Sequence, residues 1–72
     1  MIATKYTINV IEYDSSGYYY PKYPTKQVVI AQSLDEAERI AIERTPLRHS
    51  DSDWKQYAKL IEAEDIVVGN HE

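Results

Sequence analysis

Residues 4–13 read T-K-Y-T-I-N-V-I-E-Y, rich in β-branched and aromatic residues and free of Gly and Pro. Such a run fits a pleated surface and predicts a strand. Period-two alternation puts Tyr6, Ile8 and Val10 on one face and Thr7, Asn9, Ile11 and Tyr13 on the other, so neither face is purely polar. The next four residues, D-S-S-G, form a turn by composition, since Asp and Ser bond their own backbone and Gly17 accepts positive φ. Pro21 and Pro24 cannot donate to a ladder, which makes residues 14–25 a loop or edge. Pairing is expected to resume near Lys26, and the apolar run V-V-I-A at 28–31 predicts a second strand over about residues 26–32, the other arm of a hairpin.

Ser33 opens S-L-D-E, a capping box in which the Ser33 hydroxyl accepts the Glu36 amide and the Glu36 carboxylate returns to Ser33. A helix over about 34–45 follows. On its wheel Leu34, Ala37, Ile40 and Ala41 share the core arc, Asp35, Glu36, Arg39 and Glu43 lie opposite, and Ile42 fits neither. Asp35 with Arg39 and Arg39 with Glu43 are oppositely charged at i,i+4. Pro46 ends the helix. After a polar loop at 46–53, residues 54–68 fit two templates. Trp54, Tyr57, Ala58 and Ile61 match helical spacing; as a strand, Trp54, Ala58 and Leu60 take one face and Tyr57, Ile61 and Ala63 the other. We take the strand, because a two-stranded sheet is rarely stable alone. Residues 69–72 read as a tail.

The elements predict one α+β domain of ββαβ order. The last strand pairs antiparallel to the first, giving a three-stranded sheet of order 2-1-3 with the helix on one face. The other face is then expected to present Thr7, Asn9, Ile11, Tyr13, Val29, Tyr57 and Ile61, an apolar surface of the kind that marks association, with a partner or with a second copy.

Four of the seven tyrosines, Tyr18, Tyr19, Tyr20 and Tyr23, crowd with Lys22 into the loop. A core built on one short helix stripe cannot bury all four, so at least two are expected at the surface. Tyr is enriched where proteins meet. A hydrophobic lid on a small core is the plainer reading of the same cluster.

With 72 residues and no cysteine, the chain is near the lower limit for a self-sufficient core and has no thiolate chemistry or disulfide staple. No apolar leader follows Met1 and no run is long enough to span a bilayer, which predicts a cytoplasmic protein without membrane contact. The net charge of −4 is uneven: residues 1–32 hold three lysines against two acids, and residues 33–72 hold five basic residues against ten acids. That balance argues against a duplex-DNA binder.

Other chemistry is thinly signalled. His49, Asp51 and Asp53 alternate in H-S-D-S-D with metal-like spacing, but a polar capping loop explains them, and no metal or cofactor is expected. No nucleophile elbow or phosphate loop is present, so catalysis is not expected. The tyrosines and lysines of 18–26 would serve a single-stranded nucleic acid as a stacking platform. Glu36, Glu43, Asp51, Asp53, Glu62, Glu64 and Asp65 would serve a nucleic-acid mimic, or simply solubilise the chain.

The segments K-Y-T-I-N-V-I-E-Y-D-S-S-G, S-L-D-E-A and D-W-K-Q-Y-A-K-L-I-E-A-E-D resemble, in style and without a diagnostic motif, the small strand-strand-helix-strand proteins that phages and mobile elements encode as short genes. The resemblance implies a non-catalytic accessory protein that binds a host protein, as anti-CRISPR inhibitors do. It transfers no site residue. From the residues themselves, the expected contact surface is Tyr18, Tyr19, Tyr20, Lys22 and Tyr23 of the loop with Ile11, Tyr13, Tyr57 and Ile61 of the open face.

Overall fold

The computed structural model describes residues 2–67. It contains β1 (Ile2–Asp14), β2 (Tyr23–Ala31), α1 (Leu34–Glu43) and β3 (Trp54–Val67). The three strands form one antiparallel sheet in the order β2-β1-β3, with β1 central. This is the expected ββαβ domain. The expected tail at 69–72 lies outside the described residues.

Directly paired residues share a face, so the register assigns every side chain in the sheet. Tyr6, Ile8 and Val10 face the helix together with Val29 and Ala31 of β2 and Ala58 of β3, and α1 closes this side with Ala37 and Ala41, both fully buried. Leu34, Ile40 and Ile42 pack partly against the same cluster. Among the described residues, the large side chains that are fully enclosed are Ile8, Val10 and Val29.

Several expectations are corrected here. Val29 stands opposite Tyr6 and is buried under the helix rather than presented on the open face; Val28 and Ile30 take the outward positions. In a run apolar at every position the pattern does not say which half faces inward; the register does. β2 also begins earlier than expected, at Tyr23, and carries Pro24 within it. As an edge strand it tolerates a residue without an amide proton. In β3, Thr7 pairs with Glu62 and Ile8 with Leu60, which leaves Ile61 as the extra residue of a β-bulge. The bulge resets the alternation, and Ala63 lies opposite Tyr6 on the helix side, away from Tyr57.

The cap forms with one change of partner. Ser33 Oγ accepts from Glu36 N at 3.2 Å, while the Glu36 carboxylate accepts from Gln32 N, one residue before the cap. Of the two charge pairs anticipated on α1, Arg39 with Glu43 is made, at 3.2 Å.

A ten-residue helix is about 15 Å long, whereas a strand of thirteen spans roughly 43 Å. Much of the sheet therefore extends past the helix, and the molecule measures 54 × 19 × 15 Å.

Candidate functional site

Two groups of side chains meet back to back at the loop end of the sheet. On the helix side, Glu12 continues the face of Tyr6, Ile8 and Val10, yet it is a carboxylate and only 4% exposed. A buried charge requires partners. The loop after α1 supplies them: the backbone amides of Arg48 and His49 donate to Glu12 at 3.0–3.1 Å, and His49 Nδ1 lies 2.6 Å from Oε2. A carboxylate can only accept, so Nδ1 carries the hydrogen of this bond. Burial pushes the Glu12 carboxyl upward, and the three donors outweigh it to hold the group below the usual carboxylate range.

The His49 ring stacks on Trp54 with centroids 3.6 Å apart and planes 9° from parallel. Tyr23 lies against both rings at 5.6 and 6.0 Å, and Tyr19 reaches Trp54 at 5.9 Å. The Tyr19 and Tyr23 hydroxyls share a hydrogen bond of 3.0 Å, which raises the Tyr23 phenol above its ordinary value. These two tyrosines thus belong to a structural cluster that fastens the loop.

Tyr18 and Tyr20, at 93% and 85% exposed, take the opposite role and stand in solvent. The turn that carries them is organised by Asp14. Its carboxylate accepts from Ser16 Oγ at 2.7 Å, Ser16 N at 3.0 Å and Tyr19 N at 3.1 Å, and is held below its ordinary range by the Ser16 bonds first and the Tyr19 amide after them. Gly17 turns the chain at φ +79°. Ser15 ties the turn to the later loop through the Asp53 carbonyl.

On the other side of the sheet the register brings together residues far apart in sequence. Pro24, Ile11 and Tyr57 form one row across the strands; Lys26, Asn9 and Lys59 form the next; Tyr13 and Lys55 lie beyond. Tyr13 and Tyr57 pack edge to face at 5.5 Å, and Lys22 Nζ sits 5.8 Å from the Tyr57 centroid. Lys5 also stands on this face, paired with Glu64 at 3.8 Å. All five lysines of an acidic chain therefore lie on its open sheet face. The acids on this face, Glu62 and Glu64, belong to its far half.

Of the residues expected to form the contact surface, Tyr13, Tyr57 and Lys22 meet here, and Ile61 occupies the bulge at the margin of this face. Ile11 is not displayed, being 9% exposed beneath its neighbours Pro24 and Tyr57. Tyr19 and Tyr23 lie on the helix side. Lys26 was expected to serve with the loop tyrosines, whereas Lys55 and Lys59 were not singled out, although strand alternation places both in step with Tyr57.

His49, Asp51 and Asp53 do not converge. His49 is engaged by Glu12, and Asp51 accepts from Asp53 N at 3.0 Å and Trp54 N at 3.1 Å. Among the described residues no three His, Cys, Asp or Glu side chains are grouped to hold a metal, and no cavity is present. The Glu12–His49 pair has the form of the orienting half of an acid-base dyad. The acids do not fall in one row either, since Glu62 and Glu64 are on the open face, Asp65 is on the helix face, and the others are on α1 or in the loop. Comparison with family models, with curated proteins and with solved structures finds no match to this chain.

Proposed function

We propose that this protein works by binding, without catalysis, and that it docks an acidic surface of a protein partner on the open sheet face. The observation that carries the reading is the gathering of every lysine on that face, four of them in the half that holds Tyr13 and Tyr57, in a chain whose net charge is negative. Tyrosines ringed by cations give contact area at low entropic cost and steer an anionic partner toward one side of the molecule. Tyr18 and Tyr20 extend the surface at the loop end. A small accessory inhibitor of the phage type would act in this way, and the absence of cysteine suits a cytoplasmic setting.

Single-stranded nucleic acid is the second reading, favoured by the same interleaving of tyrosines and lysines. Lys22 occupies one face of the Tyr57 ring and Tyr13 packs against it, which leaves stacking mainly to Tyr18 and Tyr20. That is why the acidic protein is preferred.

The test is quantitative capture from host lysate with the parent, with Lys22→Glu/Lys26→Glu, and with the helix-side control Glu38→Lys. The reading expects a protein set retained by the parent and the control and lost from the lysine variant, insensitive to nuclease. Equal capture by all three would overturn it, and loss on nuclease treatment would transfer the surface to nucleic acid.

A further inference from the structure

The outer edge of β3 is the longest unpaired strand edge in the described structure. Its fourteen residues pair with β1 on one side, contain neither Pro nor Gly, and expose Leu60 and Ile61 at 39% and 49%. The opposite edge is defended: β2 carries Pro24, and Arg44 Nη1 donates to the Val28 carbonyl at 3.4 Å. An undefended edge is a template for another strand.

The order of charges along β3 says which strand fits. On the open face the edge runs Lys55, Lys59, then Glu62, Glu64, positive first and negative last. A parallel copy would set like against like. An antiparallel copy sets opposite against opposite, and it does so twice by symmetry. We propose that two copies of this chain pair antiparallel through β3, with Lys59 opposite Glu62 of the second copy and Leu60 opposite its Ile61.

That register also satisfies the other face. Because of the bulge, Ala58 then meets Ala63 on the helix side while Lys59 meets Glu62 on the open side, so the pairs flanking the bulged residue agree in side. The product is a continuous six-stranded sheet with both helices on one surface and both lysine faces on the other. A second copy is also what the fold lacks, since a chain of this length with so few enclosed side chains sits where oligomerisation commonly supplies stability. Charges and bulges on an edge can equally repel neighbours; what distinguishes self-pairing is that the charges are sorted by sign.

The experiment is sedimentation equilibrium over a concentration series for the parent, Lys59→Glu, Glu62→Lys and the double swap Lys59→Glu/Glu62→Lys, with thermal melts confirming that each is folded. The parent is expected to dimerise, each single reversal to weaken the dimer at least about tenfold, and the double swap to restore it. An equimolar mixture of the two single variants should form the heterodimer, because positions 59 and 62 are both acidic in one variant and both basic in the other. A parent that stays monomeric throughout overturns the proposal. So does a dimer indifferent to both single reversals, which would place the contact on another surface.

Discussion

At the scale of single residues, Glu12 is the position on which most local structure turns. It occupies a buried site at the loop end of an apolar face, and it binds the loop after α1 through two backbone amides and the His49 ring. The fold favours the ionised form, so the folded state keeps its carboxylate to lower pH than the unfolded chain does. Stability from this group is complete above the unfolded carboxyl value, about 4.3, and is lost as pH falls through the lower folded value. Glu12→Gln should cost roughly 1–3 kcal/mol at neutral pH and flatten the acid side of the stability curve. Denaturant melts from about pH 7 to about pH 3 check this; equal acid sensitivity in parent and variant would mean that another group governs it. The sequence held a usable signal, because alternation continues from Val10 to Glu12 on the buried face and a charge there must find a partner. Its partner was not legible, being thirty-six residues or more away on an irregular loop. For the same reason Tyr19 and Tyr23 could not be separated from Tyr18 and Tyr20 by sequence: the division depends on where Trp54 and His49 arrive.

At the scale of elements, local signals and the final structure agree where the physics is local. The helix start was legible because Ser33 accepts a first-turn amide three residues on and the acids after it suit the positive end of the helix. Ser33→Ala should lower stability by about 1 kcal/mol; an unchanged denaturation midpoint would show that the bond contributes nothing. For β3 the strand was chosen over the helix on the need for a third strand, and the sheet contains it. What periodicity missed was Ile61. A bulge changes the phase of a strand without changing its composition, so every face assignment after residue 60 inverts with no mark in the hydrophobic pattern. The misplaced Val29 has a related cause, since an unbroken apolar run has no phase until pairing gives it one.

At the scale of the whole molecule, the sheet order and the single covering helix followed from element order, whereas the distribution of charge did not. Counting by halves of the chain places the basic residues in both; only the register collects the lysines on one face. The resulting object is elongated, with a radius of gyration of 14.7 Å against about 11 Å for a compact domain of its length. An open face and a bare edge of this extent are what a binding protein would offer to a partner and to a second copy. The central claim is that the open face receives an acidic polypeptide. Its most direct test is amide-resolved NMR of the labelled protein titrated with polyglutamate at low salt. The account predicts shifts grouped at Lys22, Lys26, Tyr13, Tyr57 and Lys59, fading as salt rises, with the amides of α1 unmoved. Shifts centred on α1, or none on the open face, would contradict it.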